Sequence, residues 1–254
     1  MKITFMGAGS SVFAKNVLGD VLLTPALNED LEIALYDIDG ERLQESRIVV
    51  EALNSRYNEN RAHVATYLGV EQRREALRGA DFVIDTIQVG LYDPCTILDF
   101  EIPKKYGLRQ TIGDTLGIGG IFRGLRTIHV LRDFARDMED VCPNAWFLNY
   151  TNPMAMLTGY MLRYTPIKTV GLCHSVQGTI RMLAKWLDIP HEEIVYTCEG
   201  INHISFYTKL EHNGEDLYPR LRKLITENEE IYNREQVRNE IFLKLGYYVT
   251  ESSG

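Results

Sequence analysis

The stretch GLCHSVQGT, residues 171–179, sets a thiol beside an imidazole, Cys173 and His174, directly after a short apolar run. Thirty residues past Cys173, EGINHISFY carries a second imidazole, His203. A thiolate with an imidazole suits a borderline transition ion, and two protein ligands leave coordination positions open for substrate oxygens. The spacing alone does not select that chemistry. Free cysteine is among the most buried residue types, and packing explains an isolated Cys and His as well. Cys142 and Cys198 are expected to be cysteines of that packed kind.

A different chemistry is suggested by GAGSSVF, residues 7–13. Glycines in a tight turn let the backbone approach a pyrophosphate, and a following helix supplies unpaired amides and the positive end of its dipole. Gly7, Gly9 and Ser10 are the candidate cofactor residues of this turn. Where the usual fingerprint has a third glycine the chain has Val12, which weakens the motif taken alone. Its context is stronger, because Asp37 closes the next strand, where a carboxylate accepts hydrogen bonds from the adenosine ribose hydroxyls. An acid there disfavours a 2′-phosphate, so NAD is expected over NADP. The competing reading is an ordinary strand-to-helix turn with an exposed aspartate.

Two further stretches hold polar groups at the ends of expected elements. GDTLGIGGIFRGLRTI, residues 113–128, has four glycines in its first eight residues and leads into a helix. Such a loop presents backbone amides, and Asp114 and Arg123 are within reach of a pocket, but a loop capped by Asp114 reads equally well. NYTNP, residues 149–153, follows a strand and places Asn149 and Asn152 before a helix-starting proline. Either asparagine suits a helix cap or a ligand hydroxyl.

The elements that must hold these residues alternate strand and helix. Short apolar runs at 2–6, 31–37, 62–67, 81–89, 145–150 and 168–173 read as strands. Helical spacing of apolar residues marks 14–27, 41–57, 71–78, 120–139 and 153–163 as helices. The pattern predicts a Rossmann-like, doubly wound, mostly parallel α/β sheet, whose ligands bind at the carboxyl ends of the strands. Cys173 falls at such an end. After a helix beyond Gly178, strands at 194–199 and 205–211 and a helical, charged tail at 217–245 read as the start of a second, α+β domain. The expected division is 1–190 for nucleotide binding and 191–254 for the beginning of a substrate or oligomerisation domain.

The chain has 254 residues, 45% of them apolar, enough for a sizeable core. Net charge is −8 and no run of like charges reaches five, so neither nucleic acid nor a membrane surface is the expected partner. No apolar stretch approaches the roughly 20 residues of a spanning helix. Four widely spaced cysteines and an amino terminus that begins straight in a strand point to a reducing cytoplasm.

Taken together and in order, GAGSSVF, DTLGIGGIFRGLRTI, NYTNPMA, GLCHSVQGT, GINH and VTESSG resemble the NAD- and manganese-dependent glycosidases of glycoside hydrolase family 4, especially its α-galactosidases. The resemblance runs along the whole chain. It implies that NAD oxidises the sugar at carbon 3, which acidifies the hydrogen at carbon 2 and allows elimination of the aglycone. Water then adds and the hydride returns, while manganese stabilises the charge on the carbon 2 and carbon 3 oxygens. Carried over by motif, Cys173 and His203 would ligate manganese, and Asn152 would bind sugar. Gly7, Gly9, Ser10, Asp37 and Asn149 would serve the cofactor. His174 would be the acid for the leaving oxygen, and Asp114 a supporting carboxylate that polarises the base.

Relatives acting on 6-phosphosugars use an arginine after the fourth strand, and VGLYDPCTILDFE has none, which favours an unphosphorylated glycoside. Within the family, CHSV resembles the α-galactosidase branch, with α-glucosidase or α-glucuronidase as the alternative. Family members run well beyond Gly254, so the carbon 2 base and much of the substrate side, with the homo-oligomer interface, are expected past this end. Two rivals remain. One is an NAD-dependent dehydrogenase of the malate or lactate type; the other is a non-catalytic NAD-binding fragment.

Overall fold

The computed structural model describes residues 1–251; the last three residues of VTESSG lie outside the described residues. In chain order the first elements are β1 (Lys2–Met6), α1 (Ser11–Leu23), β2 (Glu32–Asp37), α2 (Gly40–Asn58), β3 (His63–Leu68), α3 (Arg73–Leu77) and β4 (Phe82–Asp85). Then come α4 (Ile97–Lys104), α5 (Gly117–Val141), β5 (Trp146–Asn149), α6 (Met154–Tyr164), β6 (Lys168–Gly171) and α7 (Ser175–Leu187). The remainder is β7 (Ile194–Ile201), β8 (Ile204–His212), β9 (Glu215–Asp216), α8 (Tyr218–Glu227), α9 (Glu229–Arg234), α10 (Gln236–Leu245) and β10 (Tyr248–Val249).

Two compact units form, Met1–Asp99 with Gly120–Leu172, and Phe100–Gly119 with the chain from Cys173 onward. The first holds a six-stranded sheet in the order β3-β2-β1-β4-β5-β6, and every pairing is parallel. This is the expected doubly wound sheet. Neighbouring residues of one strand go to opposite faces, as the period-2 geometry of a strand requires. Phe5 and Ile84 join the core with Ala14, Leu18, Leu22 and Val50 of α1 and α2. Met6 and Val83 join the other core with Leu131, Phe134, Met138 and Leu157 of α5 and α6. The chain reverses winding direction between β1 and β4, the place where such sheets open a crevice for ligands.

The second unit pairs strands antiparallel in the order β10-β8-β7, with β9 added on β8. Ile180, Leu183 and Leu187 of α7 share a core with Tyr207, Leu210, Leu221, Phe242 and Tyr248. A helix read from sequence as the end of the first domain thus buries its apolar face in the second unit.

Several bounds differ from the sequence reading for local reasons. α1 starts three residues early, straight out of the glycine turn, and stops before the Thr24–Pro25 pair, where a following proline disfavours helical backbone. β4 ends at Asp85 rather than running to 89. The Thr86 amide and hydroxyl turn in to the Met6 carbonyl, and the hydroxyl also reaches that of Gly7. α4 was not foreseen, because Pro94 and Pro103 frame a sequence that reads as broken.

Candidate functional site

In the first unit the residues of GAGSSVF form the expected turn. Gly7 has φ +82°, and a Cβ there would lie 2.9 Å from the Ile87 nitrogen and the Thr86 carbonyl carbon. Only glycine fits a left-handed backbone with a neighbouring chain that close. The Gly7 and Ala8 amides both donate to the Tyr36 carbonyl, 3.0 and 2.9 Å, tying the turn to β2. Asp37 fixes the other side, with Oδ2 accepting from the Gly9 amide at 2.6 Å and Oδ1 from the amides of Ile38 and Asp39 at 2.8 and 3.0 Å. Oδ2, with a single donor, keeps lone-pair capacity for a further one.

Helix α1 then begins with no side-chain cap from Ser10 and no acid in its first turn. Val12, in place of the third glycine, is 67% exposed. A side chain is tolerated because that position faces away from the sheet.

NYTNP forms a braced turn. Asn149 is fully buried. Its amide donates to the Thr151 carbonyl and the Thr158 hydroxyl, and its Oδ1 accepts from the Thr151 amide at 3.0 Å. The side chain thus ties the turn to α6. Asn152 is half-buried, and its Oδ1 caps the Met154 amide at 3.3 Å, which leaves its amide hydrogens for another acceptor.

Sequence reading passed over Asp85, hidden as the last letter of the apolar run FVID. Its carboxyl is 0% exposed, and neither oxygen has a hydrogen-bond partner. Burial pushes its pKa up to about 7; the Thr151 hydroxyl and Ile87 amide nearby pull the other way without reaching hydrogen-bond geometry. Asp85 pairs across the sheet with Met6 and Asn149, so an acid that holds its proton to about pH 7 sits beneath the carboxyl ends of β1, β4 and β5.

In the second unit the chain delivers Cys173 just before α7 and His203 at the two-residue turn between β7 and β8. His203 has φ +64°, a left-handed conformation that histidine adopts more readily than most residues. Gly200 permits the tight hairpin, since a Cβ there would meet the Ile204 carbonyl oxygen at 2.6 Å. Thirty residues apart in sequence, Cys173 Sγ and His203 Nε2 lie 3.4 Å apart.

Ser175 Oγ is 3.0 Å from the same sulfur, its amide donates to it at 3.5 Å, and its hydroxyl donates to Glu251. Burial by itself would raise the Cys173 pKa, but the contacts with His203 and Ser175 outweigh it and bring the thiol down to about 7. For His203, burial opposes protonation, yet Cys173 with the charges of Glu251 and Asp114 raises its pKa. Asp114 thus acts by charge on His203. His174 occupies the N-cap position of α7 and is exposed.

The pair fits a divalent ion. Bonds of about 2.3 Å to sulfur and 2.1 Å to nitrogen, at angles of roughly 90–110°, demand a donor separation of about 3.1–3.6 Å. The thiol is already poised for deprotonation, as ligation requires. Among the described residues no group of three or more His, Cys, Asp or Glu side chains forms a metal cage. The pair would therefore hold an ion by two protein ligands.

The structure brings Cys173 and His203 together with Ser175 and Glu251, which sequence reading had not singled out, and Asp114 acts on His203 only by charge. It gathers Gly7, Gly9, Ser10 and Asp37 separately in the first unit. No helix among the described residues is long and apolar enough to cross a membrane.

Comparison with known proteins gives a family. The sequence profile of family 4 glycosyl hydrolases matches residues 2–189, and that of their C-terminal domain matches residues 198–254. An α-galactosidase of Bacillus subtilis is 58% identical over 252 residues, covering 99% of this chain and 57% of that protein. An α-galacturonidase of Thermoanaerobacter italicus is 35% identical over 89% of this chain and 49% of its own length. The structure of a 6-phospho-β-glucosidase from Thermotoga maritima with manganese, NAD+ and glucose-6-phosphate superposes with a TM-score of 0.81 at 25% identity. The match covers 98% of this chain and 58% of that one. The chain thus spans 49–58% of the length of these relatives.

Proposed function

The chain belongs to glycosyl hydrolase family 4, and from that membership we propose that it is the cofactor- and metal-binding part of an NAD- and manganese-dependent α-galactosidase. The observation that carries the reading is the convergence of Cys173 Sγ and His203 Nε2 at 3.4 Å from distant parts of the sequence. When bound, NAD would supply reversible hydride transfer at sugar carbon 3, and a divalent ion would supply Lewis-acid stabilisation of developing oxyanion charge.

The chain's own residues would act as follows. The Gly7–Ser10 turn and the amino terminus of α1 bind the pyrophosphate, and Asp37 accepts from the adenosine ribose. Cys173 and His203 hold the ion. Asp114 serves as a supporting carboxylate that polarises the base, and Asn152 offers its amide to a sugar oxygen. Asn149 is kept as a cofactor residue and also braces the turn that carries Asn152. His174, exposed beside Cys173, is the candidate donor of a proton to the leaving oxygen.

An unphosphorylated galactoside is favoured by the lack of an arginine in the segment after β4 and by the 58% identity to an α-galactosidase. Four free cysteines accord with a reducing cytoplasm, and a homo-oligomer is the proposed assembly of the longer protein. We place the division between cofactor-binding and substrate-side portions after residue 190, a reading supported by profile matches that end at 189 and resume at 198.

The test is release of nitrophenol from a nitrophenyl α-galactoside under reducing conditions, with NAD and manganese omitted in turn. Hydrolysis that requires both is expected of the longer protein. Hydrolysis that persists without NAD would overturn the redox-elimination reading.

A further inference from the structure

We propose that Ser175 and Glu251 are positioning residues that hold the Cys173 sulfur in place for the divalent ion. The inference rests on the metal reading of the Cys173–His203 pair. A cysteine sulfur swings by several ångströms with one side-chain rotation, so convergence with His203 needs something to fix it. Ser175 does so from two sides, with its Oγ at 3.0 Å and its amide at 3.5 Å. A serine hydroxyl carries a single proton and rotates freely unless engaged. Here that proton goes to the Glu251 carboxylate, so in the metal-free chain Oγ accepts from the Cys173 thiol and fixes its rotamer, while the Ser175 amide is the donor that stays on the sulfur once an ion replaces the thiol proton.

Glu251 is itself delivered by a pinned strand. β10 pairs with β8 through Tyr248 and Tyr207 and through Val249 and Phe206, and the Thr250 amide donates to the Ser205 carbonyl at 2.9 Å. From the other side, the Thr179 hydroxyl of α7 donates to the Thr250 carbonyl at 3.1 Å. The segment that carries Glu251 is thereby fastened to the strand that follows His203 and to the helix that follows Cys173. Groups that orient a metal ligand without touching the ion commonly change its affinity by 10- to 100-fold.

The test is titration of the metal-free chain with cobalt(II), reading the dissociation constant and the thiolate-to-cobalt charge-transfer band. Ser175→Ala and Glu251→Gln should each weaken binding about 10- to 100-fold and alter the band, while Ser175→Thr, which keeps the hydroxyl, stays near wild type. NAD affinity should be unchanged in all three, which separates this effect from loss of the fold. Wild-type affinity in both Ser175→Ala and Glu251→Gln would overturn the inference, as would Ser175→Thr behaving like Ser175→Ala. Complete loss of binding in Glu251→Gln alone would also overturn it, by making Glu251 a direct ligand. A wild-type chain without the band, or a band that survives Cys173→Ser, refutes the metal reading itself, and the inference falls with it.

Discussion

Cys173 and Cys142 carry the same thiol in opposite settings. Contacts with His203 and Ser175 outweigh burial and bring Cys173 to about 7, whereas burial pushes Cys142, 5% exposed, up to about 11. At pH 7 about half of Cys173 is then thiolate, the reactive form. Iodoacetamide at that pH should modify Cys173 while leaving Cys142 intact, and added manganese should protect Cys173; mass spectrometry of tryptic peptides reads both. Equal labelling of the two would contradict the assignment. Asp37 invites a second substitution, because it holds the Gly9 turn and also faces outward as a ribose acceptor. Asp37→Ala should weaken NAD binding about tenfold or more by calorimetry, the usual worth of a hydrogen bond to a charged group, with cobalt affinity unchanged.

At the scale of elements, two glycines set where chemistry is delivered. Gly7 lets the first turn pass against Thr86 and Ile87, and Gly200, with φ +138°, closes the hairpin that presents His203. Adding a methyl group at either strains the backbone by roughly 1–3 kcal/mol. The two variants should separate in what they lose. Gly7→Ala should lower NAD affinity and Gly200→Ala metal affinity, each with a reduced melting temperature. Loss of both ligands in either variant would show that the damage is global. The strand and helix order was legible because apolar periodicity reports which face is buried, as with Phe5 and Met6 going to opposite cores. Element ends were less legible, since Thr86 and the prolines around α4 act through partners that periodicity does not register.

For the molecule as a whole, Asp85 couples stability to pH. Below about pH 4 the carboxyl is protonated in both folded and unfolded chains. As pH rises from there towards about 7, the unfolded chain ionises while the folded chain keeps the proton, so stability falls across that window and then levels off. Asp85→Asn removes the ionisation. It should stabilise the protein by roughly 2–4 kcal/mol at pH 8 in urea unfolding, with the gain shrinking towards pH 4.5. A gain that is the same at both pH values would contradict a buried, neutral Asp85.

The sequence by itself determined the parallel sheet, the glycine turn with Asp37, and the residue types able to hold a metal. These features are local: a turn needs glycine, a buried strand needs apolar residues, and ligation needs a thiol or imidazole. The tertiary structure alone decided that Cys173 and His203 meet, that Ser175 and Glu251 stand behind the sulfur, and that α7 packs with the antiparallel sheet. It also decided that Asn149 is bonded to its turn and to α6, and that Asp85 keeps its proton up to about pH 7. In each case the deciding quantity is a distance or a burial set by segments remote in sequence. Residue type and spacing carry no record of which remote group comes to lie 3 Å away.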